Sequence, residues 1–314
     1  MRVAAIDIGT NSVLLLVAEV GAEGLVALVE RAEITRLGQG VDRSRALAPD
    51  AVERTLACLA RYADELRAMG VSVLDVVGTS AMRDAAGGDE LRARATALLG
   101  VEPRVIPGPE EAALTFEGAL TGLALPPGPV FVFDIGGGST EVIVGDRDGA
   151  VHAAASLDVG CVRMTERHLR TDPPSADELE LVRADVRAAL RHAPVPPPGA
   201  TVVGVAGTVT TLGALAFDVT PYDGSRVHGA RLSFSMLAAL RERLASVSLA
   251  ERRALRGLDP RRADVIVAGA VVAEEVLLAL APSGASPPDL VISDRGVRWG
   301  LVGRLAATAT ASRG

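Results

Sequence analysis

A short apolar run followed by a glycine turn that opens with an acid occurs twice in this 314-residue chain, as Asp7-Ile8-Gly9-Thr10-Asn11-Ser12 and as Asp134-Ile135-Gly136-Gly137-Gly138-Ser139-Thr140-Glu141. A strand that runs into such a turn leaves several backbone N–H groups unpaired and pointing one way, which makes an anion-binding nest. The hydroxyls of Thr10, Ser12, Ser139 and Thr140 add donors. A lone carboxylate beside a bound phosphate would repel it, so the acid at the head of each loop points to a divalent cation between the two. One copy alone reads equally as an ordinary turn closing a buried strand. Two copies predict a duplicated architecture that clamps phosphate.

The length suits two domains with full cores. Hydrophobic residues make up 49% of the chain and aromatics 3%, so Ala, Val and Leu must build those cores. The apolar stretch Val265 to Ala281 carries Glu274 and Glu275 in its middle and Val13 to Val20 is broken by Glu19, so neither reads as a membrane span. Met1-Arg2-Val3-Ala4-Ala5 runs directly into a strand pattern, with no signal-peptide signature, and the expectation is a soluble, cytoplasmic protein. A net charge of −7 argues against nucleic acid as a partner. All 32 basic residues are arginine, so a polyanionic ligand has to be met by local arginines and metal against a repulsive overall field. Cys58 and Cys161 have no metal-type spacing and read as small core residues.

Along the chain, a β-meander spans Arg2 to Glu33. Pro49 opens a helix with apolar residues at three and four, ending at Gly70. A strand Val71 to Val77 ends in the turn Gly78-Thr79-Ser80-Ala81-Met82-Arg83-Asp84; a helix Asp89 to Leu99 and a strand Val101 to Ile106 follow. Pro109 then occupies a typical first-turn position, which places Glu110 and Glu111 at a helix start. Pro126-Pro127-Gly128-Pro129 marks a linker, and beyond it the order repeats: strands near Val130 to Phe133, Val142 to Val144 and Val151 to Leu157, then helices at Cys161 to Leu169 and Ser175 to Leu190. Ser175 and Glu178 form a capping box. A strand Thr201 to Val205 ends in a third small-residue turn, Ala206-Gly207-Thr208; a long helix is expected from Pro260 through Ala281, a strand over Leu290 to Ser293 and a last helix over Gly296 to Ala307. No Walker-type loop, Gly-x-Ser-x-Gly elbow or kinase signature is present.

The Glu110-Glu111 pair is the candidate base, since the helix dipole favours an ionised carboxylate there; acids also simply favour first turns. Glu141 is placed to hold a metal ion or a water. Arg83 reaches a phosphate or pairs with Asp84, and Arg163 has the same two readings. The arginines at 252, 253, 256, 261 and 262 read as a solvated face or as a polyanion patch. Of the four histidines only His228 lies in a turn-like context, and none has ligand spacing.

Taken in order, the two loops, the Gly78 to Asp84 turn, Gly108-Pro109-Glu110-Glu111-Ala112, Gly160-Cys161-Val162-Arg163 and Ala206-Gly207-Thr208 resemble the exopolyphosphatase and guanosine pentaphosphate phosphohydrolase family, from about Ala4 to Gly300. The resemblance implies an α/β fold of duplicated ribonuclease-H-like (actin-like ATPase) domains with an interdomain cleft: residues 1–125, residues 126–296, and a C-terminal helix 297–311 packed back on the first. It implies Mg²⁺-dependent release of orthophosphate from inorganic polyphosphate or from the pentaphosphate alarmone pppGpp. The catalytic glutamates then fall on Glu111 and Glu141, and the metal acids on Asp7, Asp134 and Glu141. Phosphate contacts fall on Gly9, Thr10, Asn11, Ser12, Arg83, Gly136, Gly137, Gly138, Ser139, Thr140, Gly207 and Thr208. A homodimer is implied as well. The chain lacks the extra C-terminal helical domains of longer relatives and their path-lining lysines, which favours short chains as substrate. Two other classes stay open at this stage: an actin-like ATP-dependent kinase and a non-catalytic sensor of phosphorylated ligands.

Overall fold

The computed structural model describes residues 1–21, 24–281 and 284–311. The chain divides into two compact units, Met1–Gly118 with the segment from Val297 onward, and Ala119–Gly296.

The first unit is built on strands β1 (Arg2–Ile8), β2 (Ser12–Gly21), β3 (Gly24–Ile34), β4 (Val73–Gly78) and β5 (Arg104–Val105), in the order β3-β2-β1-β4-β5. β1, β2 and β3 form an antiparallel meander; β4 and β5 run parallel to β1. Because side chains alternate across a strand, Ala4, Ile6 and Ile8 of β1 join one core with Leu56, Leu59 and Tyr62 of the helix Pro49–Ala68, while Val3 and Ala5 join another with Leu114, Val297, Trp299 and Val302. Asp7 shares the parity of Val3 and Ala5. It therefore projects from the sheet face that the helices Gly108–Leu120 and Val297–Ala311 cover.

The last helix is held there by chemistry as well as by apolar area. The buried Arg298 donates to Glu30 Oε2 at 2.7 Å and to the Arg31 carbonyl at 3.0 Å, and Arg304 forks onto Glu117 at 2.7 and 2.8 Å. Gly300 lets the helix approach its neighbour: a Cβ at that position would lie 2.2 Å from the Leu114 carbonyl oxygen.

The second unit repeats the path with β6 (Pro129–Ile135), β7 (Thr140–Asp146), β8 (Val151–Leu157), β9 (Thr201–Val205), β10 (Arg231–Leu232) and β11 (Leu290–Ile292), ordered β10-β11-β9-β6-β7-β8. β6, β7 and β8 form the meander, and β9 and β11 follow parallel to β6, as β4 and β5 do beside β1. Its core surrounds the helix Ile266–Ala279, buried on nearly every side. The interior acids Glu274 and Glu275 are satisfied by arginines: Arg241 bonds Glu274 at 3.0 and 3.1 Å, and Arg187 bonds Glu275 at 2.7 and 3.0 Å. Among the described residues no helix is long and apolar enough to cross a membrane. Both cysteines are buried thiols.

Several elements differ from the sequence expectation. The long helix does not begin at Pro260: Pro260–Arg262 is a 3₁₀ turn capped by the Asp259 side chain, and the α-helix starts at Ile266. The strand expected over Val101 to Ile106 contracts to Arg104–Val105 behind Pro103, which has no N–H to give to a ladder. The turn after β4 contains a short helix, Ser80–Asp84, and the helix Phe234–Ser246, capped by Ser233, fills a stretch for which no element was expected. The capping box at Ser175 and Glu178 forms as expected.

Gly300→Ala forces the last helix off its neighbour, and overpacking of this kind costs about 1–3 kcal/mol. Urea denaturation should show the midpoint falling with an unchanged slope.

Candidate functional site

The two glycine loops have the same construction. Ile8 pairs with Val13 and Ile135 with Thr140, so four residues connect the strands in each case. Gly9 N–H donates to the Ser12 carbonyl at 3.0 Å, and Gly136 N–H donates to the Ser139 carbonyl at 3.0 Å. A side chain at either glycine would be crowded, since an added Cβ would meet the accepting oxygen at 3.0 and 3.2 Å.

Flanking backbone then occupies the carbonyl side of each loop. In the first, Thr35 and Arg36 donate to Asn11 O and Gly38 donates to Thr10 O. In the second, the opening of the helix Cys161–His168 donates to Gly136 O and Gly137 O, and Arg163 Nε reaches Gly138 O at 2.6 Å. Gly160 permits that approach, because a Cβ there would lie 2.5 Å from Gly137 O. Among the described residues no backbone carbonyl accepts from the N–H groups of Thr10, Asn11, Gly137, Gly138 or Ser139. These donors, with their carbonyls tied back, give each turn a row of N–H groups of the kind that suits an anion. Asn11 adds a buried side-chain amide nitrogen with no hydrogen-bond partner.

In the first unit the structure separates the two candidate bases. Glu110 pairs with Arg104 at 2.9 Å on the surface, whereas Glu111 is 7% exposed and accepts from Arg83 Nη1 at 3.2 Å. Glu111 shares the inward face of its helix with Leu114, on the same side of the sheet as Asp7. Arg83 also bonds the Ile106 carbonyl at 3.0 Å and Asp84 at 3.2 Å, so of its two sequence readings the pair with Asp84 forms. Although burial works against its charge, hydrogen bonding and attraction from Glu111, with Asp84 behind, raise its pKa. Thr10 Oγ1 lies 2.7 Å from Ser80 Oγ, tying the loop to the turn after β4.

In the second unit Asp134 and Glu141 sit directly opposite on β6 and β7, so their side chains share a face. Glu141 is 3% exposed, and Ser156, its partner on β8, donates to Oε1 at 2.7 Å. The equivalent of Glu141 in the first copy is Leu14, which faces Asp7 across the ladder. Two carboxylates placed opposite each other repel, and a hard divalent cation relieves that repulsion while keeping most of its waters. The donor set thus fits such a cation, with Asp7 as the corresponding acid of the first unit. Among the described residues no group of three or more His, Cys, Asp or Glu forms a ready-made cage.

Not every expected donor is available. The fully buried Thr140 gives its hydroxyl proton to the Val159 carbonyl, so that proton is not available to a ligand. Arg163 braces the loop from its carbonyl side. Arg252, expected on a solvated face or a patch, is 4% exposed and ties Asp172 to the Leu244 carbonyl. The turn Ala206-Gly207-Thr208 opens the helix Ala206–Ala216 beside the second loop, since Asp134 pairs with Val205 in register. Ser156 was not singled out in sequence: a serine inside a small-residue strand becomes informative only once the register shows which carboxylate it faces.

Ser156→Ala removes the donor to a buried carboxylate, and hydrogen bonds to charged groups are worth about 1.5–3 kcal/mol. Chemical denaturation should register a loss of that size, with Ser156→Thr restoring much of it.

Known proteins share this arrangement. Residues 16–309 match the Ppx/GppA phosphatase family. Exopolyphosphatase 2 of Mycobacterium tuberculosis is 41% identical, over 97% of this chain and 98% of its own. A guanosine-5'-triphosphate,3'-diphosphate pyrophosphatase of Vibrio cholerae is 39% identical over 53% of this chain and 33% of its own. The crystal structure of the Aquifex aeolicus member of the Ppx/GppA family superposes with a TM-score of 0.81 at 32% identity, covering 98% of both chains. The chain belongs to the Ppx/GppA phosphatase family.

Proposed function

We propose that this member of the Ppx/GppA family is a cytoplasmic exopolyphosphatase that releases orthophosphate from the ends of inorganic polyphosphate, favouring short chains, with Mg²⁺ as its metal. The observation that carries the reading is Glu111, a carboxylate buried at a helix start, gripped by Arg83, on the sheet face from which Asp7 projects. The near-complete match in length to Exopolyphosphatase 2 favours polyphosphate over pppGpp, since the Vibrio cholerae relative is matched over a third of its length.

In the proposed reaction Glu111 orients a water molecule and accepts its proton as the oxygen attacks the terminal phosphorus in line. The new P–O bond forms as the bridging P–O bond breaks, and the shortened chain leaves as an oxyanion. Each unit brings its own N–H row suited to phosphoryl oxygens, Thr10 and Asn11 in the first and Gly137 to Ser139 in the second, and Arg83 supplies a fixed cation beside Glu111. Asp134 and Glu141 of the second unit, and Asp7 as the matching acid of the first, are the carboxylates that would hold a divalent cation, which would supply charge neutralisation at phosphoryl oxygens. Glu141, held by Ser156, keeps its carboxylate in place throughout.

Glu111→Gln should lower kcat by about 10²–10⁴-fold, the range of a general base, with KM much less affected. The measurement is phosphate release from polyphosphates of defined length, beside pppGpp. EDTA should abolish the wild-type signal and Mg²⁺ should restore it. Wild-type turnover by Glu111→Gln would remove the base from this account, and faster release from pppGpp would reassign the substrate.

A further inference from the structure

In the first unit the glycine loop and Glu111 belong to different elements, and one short helix touches both. The helix Ser80–Asp84 carries Ser80 and Arg83 three residues apart, so the two side chains leave the same face one turn from each other. Ser80 Oγ lies 2.7 Å from Thr10 Oγ1 of the loop. Arg83 Nη1 reaches Glu111 Oε2 at 3.2 Å and the Ile106 carbonyl at 3.0 Å, just ahead of the helix that bears Glu111. The backbone repeats the tie, because Thr79 N–H donates to the Ile8 carbonyl at 3.2 Å, where β1 enters the loop.

A helix of five residues has no stability of its own, so contacts set its position. Close packing supplies them: a Cβ on Gly78 would lie 2.4 Å from Met82 Sδ, and one on Gly88 would lie 2.4 Å from the Met82 carbonyl oxygen. Thr10 is fixed as firmly. A Cβ on Gly38 would fall 2.2 Å from Thr10 Cγ2, and Gly38 N–H donates to the Thr10 carbonyl at 2.8 Å. The methyl group therefore rests on Gly38 and the hydroxyl is left facing Ser80. Ser80 is 6% exposed, which keeps bulk water from competing for the pair. Between them the two hydroxyls hold two protons, and their mutual bond consumes one. Among the described residues no second acceptor takes the other.

We propose that Ser80 is a positioning residue of the hydrolytic site that acts through Thr10. With a phosphoryl group on the first loop, Ser80 donates to Thr10 and Thr10 donates its own proton to a phosphoryl oxygen. Each bond of such a chain polarises the next. The inference rests on the phosphohydrolase reading of the loop and of Glu111. Because Ser80 and Arg83 share one turn of helix, the same element sets where the phosphoryl oxygen is held and where the base stands. In-line attack tolerates little error in that spacing.

The test is a double-mutant cycle of Ser80→Ala and Thr10→Val, with Ser80→Thr as the conservative variant. It is read by kcat/KM for tripolyphosphate with Mg²⁺ and by thermal unfolding with and without tripolyphosphate. Thr10→Val keeps a methyl group on Gly38 and removes only the hydroxyl. Alone, Ser80→Ala should lower kcat/KM about 3- to 10-fold, the worth of one neutral hydrogen bond, and Ser80→Thr should recover much of it. In the Thr10→Val background the same substitution should change kcat/KM less than about twofold. An unchanged kcat/KM in Ser80→Ala overturns the proposal. So does an equal loss in both backgrounds, which is what a purely structural serine gives. If wild type releases no phosphate from tripolyphosphate, the exopolyphosphatase reading fails, and the cycle is read on the rise in melting temperature that tripolyphosphate produces. A reduced rise in Ser80→Ala, with no further reduction in the Thr10→Val background, then supports the Ser80–Thr10 chain, and additive reductions overturn it. A wild type that tripolyphosphate does not stabilise overturns both.

Discussion

The structure depends on how the carbonyl oxygens of two glycine turns are disposed of. A tight turn has as many acceptors as donors, and it becomes selective for anions only when something else takes its acceptors. Here that role falls to neighbouring backbone: residues 35, 36 and 38 in the first unit, and the opening of the helix Cys161–His168 in the second. The glycine at position 160 and the bond from Arg163 to Gly138 serve the same end. In the proposed reaction phosphate is therefore met by main-chain geometry first and by side chains second. That explains how a chain of net charge −7 can be built to bind a polyanion.

Duplication gives two nests, but the copies have diverged where chemistry requires it. Leu14 and Glu141 occupy equivalent positions, and only the second places a carboxylate across the ladder from the loop aspartate. The first copy supplies its second carboxylate from a helix instead, as Glu111. The arginines show the same economy of placement. Those that hold buried acids, such as Arg187, Arg241 and Arg298, fix helices to their neighbours, while Arg83 divides its fork between Glu111 and backbone.

Much of this was legible in the sequence because the decisive signals are local. Glycine turns after apolar runs, a proline just inside a helix start and the Ser175 capping box are short-range devices, and each element they predict is present. The signals failed where tertiary context decides. Nothing local distinguishes Glu110 from Glu111; the burial of one comes from the packing of Leu114 onto the sheet. Ser156 acquires meaning only from the register of β7 and β8. The start of the helix at Ile266, behind a 3₁₀ turn that Asp259 caps, has no local signal in the sequence, which offers Pro260 as an equally good first turn.

The return of the final helix to the first unit has a consequence for biosynthesis. Residues 1–118 emerge from the ribosome ahead of the second unit, yet the sheet face that bears Asp7 stays without Trp299 and Val302 until those residues follow it. The second unit is contiguous and lacks nothing once residue 296 is out. Domains fold as units in the order they are completed, so the half of the molecule that is translated first is the half that is finished last.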